Sequence, residues 1–310
     1  MKKVTSLCLA LLLVLTMAVL SLTPVFAANS AEAKAQAHAY NKHSLGLTSV
    51  SNARELGGYK TKDGRTVRFG KLLRTGELTK LSAADRKKLV NKYHLTKDID
   101  LRSDSDLDRN GEDVKIPGVE YVRYPYALSP IDTYLHSTAG VELAIDHSKE
   151  LLALDLHLSF TNVYFEGGYM SIYSSEDGLA MVRGFFHELL DANGDTVLFH
   201  CSAGKDRTGN MAMLLLEVLG VDRKTIIEDY ALTNEYTAAA RQNSYDRIYD
   251  LAGSDAIAKD LSYFSGVRRS WIKRSYETIE RNYGSVDNYL NKAVGLSNKD
   301  LQKIRNAYLQ

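Results

Sequence analysis

The 310-residue chain has only two cysteines, four prolines and one tryptophan, and its charges nearly cancel at a formal +1. One cysteine, Cys8, falls in the first 27 residues, so beyond them Cys201 has no intrachain partner and a disulfide scaffold is excluded. A net charge this small also excludes the broad electrostatic footprint of a nucleic-acid binder. Any attraction for anions must come from a local cluster. Long apolar runs are scarce as well: after the N-terminal segment no stretch reaches bilayer-spanning length. The balance of 45% hydrophobic and 25% charged residues is that of a globular protein, not a disordered or collagen-like one.

The exception is the N-terminus, where Met1-Lys2-Lys3 precedes an uncharged apolar run from Val4 to Leu22, followed by Val25-Phe26-Ala27. This order predicts a secretory signal peptide over residues 1–27, and hence a secreted, extracellular protein. Retention of the run as a membrane anchor is the alternative, since it approaches spanning length. Residues 28–47 are rich in alanine and small polar residues and read as a spacer, leaving 48–310 as a single folded domain.

Within that domain, Lys62-Asp63-Gly64-Arg65 predicts a hairpin turn, and Ser82 to Asp85 caps a helix running to about Tyr93. Strands are expected at Asp98–Arg102 and Val119–Tyr126, separated by an acidic loop from Ser103 to Asp113. Helical patterns run from Ala139 to about Leu156 and from about Glu176 to Leu190, on either side of a connector at Gly167-Gly168-Tyr169. Thr196–His200 reads as a short buried strand, and Asn210–Leu219 as an apolar helix. From Asp222 onward the pattern is almost wholly helical, broken at Gly253, Gly284 and Gly295. The fold class is α/β: a central, mostly parallel sheet flanked by helices, with a helical C-terminal part.

The chemistry concentrates between that strand and that helix, in His200-Cys-Ser-Ala-Gly-Lys-Asp-Arg-Thr-Gly209. A cysteine between a strand end and a helix N-terminus sits among backbone N–H groups at the positive end of the helix dipole. That setting favours a thiolate and binds a tetrahedral dianion. Arg207, six residues after Cys201, offers a planar fork to phosphoryl oxygens that lysine cannot match. Gly204 and Gly209 permit the tight backbone, and the Thr208 hydroxyl can assist the sulfur as a leaving group. A Walker A loop is excluded, because Lys205 is followed by Asp206 and Phe199 stands where its first glycine belongs. A rhodanese-like loop gives no reason for the Arg207-Thr208 pair.

The loop resembles the signature of the cysteine-dependent tyrosine and dual-specificity phosphatases, and more narrowly the secreted bacterial tyrosine and phosphoinositide phosphatases with a Gly-Lys-Asp-Arg loop. Asn52-Ala-Arg54-Glu-Leu-Gly57-Gly58, Leu73-Arg74-Thr-Gly76, Asp100-Leu-Arg102-Ser103, Asp229-Tyr230 and Tyr283-Gly-Ser285 match that family's pattern in order, with Ala53 departing from its usual aromatic. The resemblance implies a phosphatase-like fold over roughly residues 48 to 309. It implies Cys201 as nucleophile, Arg207 as phosphate clamp and Asp206 as general acid. Ser202, Ala203, Gly204, Lys205, Thr208 and Gly209 form the substrate cradle, with His200 supporting it. Substrates implied are phosphorylated proteins or phosphoinositides, the latter with transient membrane-surface contact and with Lys205 as a second cation for highly phosphorylated headgroups.

Several alternatives stay open at this level. The acid can instead come from a separate loop, through Asp104, Asp106, Glu176 or Asp177. Arg54, Arg74 and Arg102 either line the mouth or fasten strands as buried ion pairs. The substrate can be an inositol polyphosphate or a scavenged monoester, and the outlying reading is a non-catalytic phosphate-binding module. No cofactor or metal is expected: His38, His43, His94, His136, His147, His157 and His187 show no ligand spacing.

Overall fold

The structure, a computed structural model, describes residues 42–129, 137–154 and 159–310. The expected leader at 1–27 and most of the expected spacer lie outside them. His43 and Leu45 are already buried, and Leu45 N–H donates to the Ala53 carbonyl at 3.2 Å, so the packed part of the chain begins before the expected boundary at 47/48. Among the described residues no helix is long and apolar enough to cross a membrane.

Five strands form one sheet: β1 (Arg54–Glu55), β2 (Leu72–Thr75), β3 (Leu95–Asp100), β4 (Glu120–Arg123) and β5 (Thr196–His200), in the order β1-β2-β5-β3-β4. Only β1 runs antiparallel to its neighbour. Strand β5 pairs in parallel with β2 on one side and β3 on the other. It is buried along its whole length, which explains its unbroken Thr-Val-Leu-Phe-His sequence. Successive residues serve opposite faces. Leu72, Val197 and Phe199 join the larger core, and Leu73 and Leu198 join the smaller one with Leu89 and Tyr93.

The helices follow from local signals. Helix α1 (Ala83–Asn91) starts at Ser82, whose hydroxyl accepts from Asp85 N–H as its spacing predicts. Helix α2 (Asp104–Asn110) occupies the expected acidic loop; Ser103 and Asp106 form a capping box that outweighs the polar composition. Helices α3 (Thr138–Ala153) and α4 (Phe160–Ile172) come next. The expected Gly167–Tyr169 connector lies inside α4: Gly168 is there for close approach, since a Cβ would meet Leu128 at 2.7 Å. Helices α5 (Glu176–Ala192) and α6 (Arg207–Val218) flank β5 in sequence. The C-terminal layer comprises α7 (Arg223–Ala231), α8 (Ala238–Ala252), α9 (Asp255–Leu261), α10 (Arg269–Tyr283) and α11 (Asn298–Tyr308). Gly253 and Gly284 end α8 and α10 in the left-handed region, at φ 61° and 81°. Trp271 on α10 stacks on Phe165 of α4, centroids 4.3 Å apart, fastening this layer to the body. The chain end returns to the predicted hairpin, where Gln310 N–H donates to the Thr66 carbonyl at 2.9 Å.

Candidate active site

Strand β5 delivers Cys201 to the carboxyl edge of the sheet, the edge at which parallel α/β sheets bind ligands. The chain then turns through 202–206 into the N-terminus of α6. Gly204 makes the turn at φ 65°, and a Cβ there would meet the Thr75 carbonyl oxygen at 2.2 Å, so only glycine fits against β2. Cys201 is buried, and Ser202 and Ala203 are half-buried at the loop's more open side. The Thr208 hydroxyl is buried with no hydrogen-bond partner among the described residues.

Arg207 is anchored to the scaffold through Nη1. Its Nη1 donates to Asp106 Oδ2 at 2.6 Å, to the Tyr126 carbonyl at 2.8 Å and to the Leu101 carbonyl at 3.3 Å. Burial alone would raise the Asp106 carboxyl, but the charge and hydrogen bond of Arg207, with the Ser103 hydroxyl, hold it far below the ordinary carboxylate range. Asp106 is therefore the carboxylate partner of Arg207, without a proton to donate near neutrality. Asp104 is exposed and pairs with Arg123. Glu176 and Asp177 are exposed in the first turn of α5, and among the described residues no hydrogen bond or ion pair joins them to the loop.

Asp206, by contrast, belongs to the loop itself. Its Oδ1 accepts from the Tyr169 hydroxyl at 2.7 Å, and that hydroxyl also lies 2.5 Å from the Tyr230 hydroxyl. Burial and the Asp206 charge push the Tyr169 phenol well above its usual range, so it stays a donor. The Lys205 side chain extends from the loop toward the C-terminal segment. Its Nζ reaches the Tyr263 and Gly266 carbonyls at 3.3 and 3.2 Å and lies 4.1 Å from the Phe165 ring centroid. The same ammonium lies 3.6 Å from Asp206 Oδ2.

His200 is enclosed by carboxylates: Nε2 lies 3.2 Å from Asp113 and 3.4 Å from Asp98, and Nδ1 lies 3.8 Å from Asp100. Burial opposes its charging, yet the Asp98 and Asp100 charges win and raise it well above the ordinary histidine value. It is a fixed cation beneath Cys201, which suits support of the loop and not proton shuttling. Asp100, Asp113 and His200 have ligand atoms within 4.8 Å of one another, but Arg102 already donates to Asp100 at 2.9 Å and to Asp113 at 2.6 Å. A guanidinium and an imidazolium neutralise that cluster.

The remaining arginines are ion-pair fasteners. Arg54 Nε and Arg74 Nη1 share the buried Asp229 carboxylate at 3.2 and 2.8 Å. Arg74 Nη2 also donates to the Gly204 carbonyl at 2.9 Å. Burial would raise Asp229, but the two guanidiniums hold its carboxyl below the ordinary value. Asp229→Asn is expected to destabilise the fold by about 3–5 kcal/mol, because two buried cations lose their counter-charge. Urea denaturation measures this, and a loss under ~1 kcal/mol contradicts it.

Sequence reasoning placed Asn52 in a family motif but gave it no role. It is buried, its φ is 54°, and its Nδ2 donates to the Ala203 and Gly204 carbonyls at 3.1 and 2.9 Å. A fold-wide contact of this kind leaves no local trace beyond an asparagine in a turn.

Comparison with known proteins agrees with the loop. The family model described as the tyrosine phosphatase family matches residues 45–310. A Cupriavidus necator protein named as a tyrosine-protein phosphatase is 31% identical over 280 residues, covering 90% of this chain and 93% of its own. The triple specificity protein phosphatase PtpB of Mycobacterium tuberculosis is 32% identical over 126 residues, 38% of this chain and 45% of that protein. A tyrosine-protein phosphatase of Nostoc commune is 28% identical over 206 residues, 57% of this chain and 69% of that one.

Proposed function

The chain belongs to the tyrosine phosphatase family, and on that premise we propose that it hydrolyses phosphotyrosine-type monoesters through a cysteinyl-phosphate intermediate on Cys201. The observation that carries this reading is one loop holding a thiol at a strand end, backbone N–H groups at a helix N-terminus, and an arginine locked by Asp106. The N–H groups and Arg207 hold the three non-bridging phosphoryl oxygens. The Cys201 thiolate attacks phosphorus in line, forming S–P as the P–O bond to the leaving group breaks, and Asp206 gives that oxygen its proton. Water then attacks phosphorus and loses a proton to Asp206, and the S–P bond breaks, with the Thr208 hydroxyl donating to the departing sulfur. Phosphate leaves, and thiolate and acid are restored.

Among substrate classes, the position of Lys205 favours the aryl ester. A lysine committed to the Tyr263 and Gly266 carbonyls adds no second cation for a polyphosphorylated headgroup. We place the activity outside the cell on the leader-like residues 1–27, with 48–310 as the catalytic domain. The test is a substrate panel in excess chelator: phosphotyrosine peptide, phosphoserine peptide, phosphoinositide vesicles and phytate. The phosphotyrosine peptide is expected to have the highest kcat/KM, and a headgroup substrate exceeding it overturns the aryl preference.

Asp206→Asn tests the acid. It is expected to lower kcat/KM for an alkyl phosphate by about 100-fold while kcat/KM for an activated nitrophenyl ester, whose leaving group needs no proton, changes little. Equal losses on both move the acid elsewhere.

A further inference from the structure

Asn52 stands out on three independent observations. It is a non-glycine residue in the left-handed region, it is almost fully buried, and each polar atom of its amide is committed. A backbone held this way costs free energy and persists only where its surroundings require it. Its Oδ1 accepts from Arg54 Nη1, so the amide cannot flip, and Arg54 is itself held by Asp229. The amide nitrogen therefore faces the active-site loop, where it donates to two consecutive carbonyls, Ala203 and Gly204.

We propose that Asn52 is a positioning residue that aims the loop's N–H groups at the phosphoryl group. The inference rests on the reading of this loop as the phosphoryl site. In a trans peptide the carbonyl and the following N–H point in opposite directions across one plane. Drawing the Ala203 and Gly204 carbonyls toward Asn52 therefore turns the Gly204 and Lys205 N–H groups the other way, into the loop's concave side. The two peptides are not equally secured. The Gly204 carbonyl also accepts from Arg74, whereas among the described residues Asn52 is the one donor to Ala203. Removing the Asn52 amide thus releases the Ala203–Gly204 peptide first.

The residue type follows from these demands. Glycine adopts the backbone but has no amide. Aspartate has the shape but presents only oxygens to two carbonyls, and glutamine at this φ is disfavoured.

The experiment uses the full chain carrying Cys201→Ser, with tungstate as a non-covalent tetrahedral anion. Adding Asn52→Gly, which suits the left-handed backbone, is expected to weaken tungstate binding about tenfold or more, in line with the loss of an oxyanion donor. With Cys201 present, the same substitution is expected to raise KM for a nitrophenyl ester along with lowering kcat. Binding per folded molecule is read by calorimetry well below each variant's melting temperature, so a general loss of stability leaves it unmoved. Asn52→Asp is the second variant and should bind more weakly still. Tungstate affinity within about twofold of the parent in Asn52→Gly overturns the proposal. If the Cys201→Ser parent itself fails to bind tungstate, the phosphoryl-site reading falls first and the inference with it.

Discussion

Replacing Cys201 by serine is expected to reduce turnover by at least about four orders of magnitude while leaving oxyanion binding intact. The two side chains are nearly isosteric and Cys201 is buried at the end of β5, so the sheet and loop accept the change. What changes is acidity. A thiol is intrinsically far more acidic than a serine hydroxyl, which stays protonated in the same setting. No base stands in to activate a serine: Asp106 is engaged with Arg207, and His200 already carries its proton. The variant should therefore trap phosphotyrosine peptide without releasing phosphate, by calorimetry and phosphate assay respectively. The wild-type enzyme should show a pre-steady-state burst of leaving group that the variant lacks. Residual turnover above about one per cent of wild type would falsify the nucleophile assignment.

How much was legible in the sequence depended on how local the cause was. Strand β5, the loop and α6 were readable because an apolar run, a glycine-bounded turn and an apolar helix lie within 23 consecutive positions, 196–218. The caps at Ser82 and the helix ends at Gly253 and Gly284 were readable for the same reason. Helix α2 was read as a loop because its composition is polar, and a capping box together with the pull of Arg207 on Asp106 decides it instead. Gly168 was read as part of a connector, though its lack of a side chain serves contact with Leu128 inside α4. The direction of Lys205 was illegible because its acceptors, Tyr263 and Gly266, lie 58 and 61 positions away. Asn52 and Arg54 act on partners 151 to 175 positions distant. Family resemblance placed their motif, but pairing of this kind appears only once the chain has folded.

Arg207→Lys is expected to cost nearly as much as loss of the nucleophile, about 10³–10⁴ in kcat/KM, with little change in stability. Nη1 of Arg207 is already engaged by Asp106 and by the Leu101 and Tyr126 carbonyls, which sets the rotation of the guanidinium plane. A guanidinium carries five N–H donors in one plane, so anchoring Nη1 to the scaffold fixes the orientation of the whole fork relative to the loop. Lysine has a single nitrogen at its tip. Placed here it keeps the charge that neutralises buried Asp106, which preserves stability, but it must choose between that carboxylate and the substrate. Asp106→Asn should act in the complementary sense. The guanidinium remains, its plane loses its strongest restraint, and kcat/KM should fall by a smaller factor, about 10–100. The ordering of the two losses is the test, with kcat/KM and the phosphate inhibition constant measured on both variants. If Arg207→Lys stays within about tenfold of wild type, the planar fork is not what holds the transition state. If Asp106→Asn exceeds it, Asp106 acts on the substrate itself and its pairing with Arg207 is secondary.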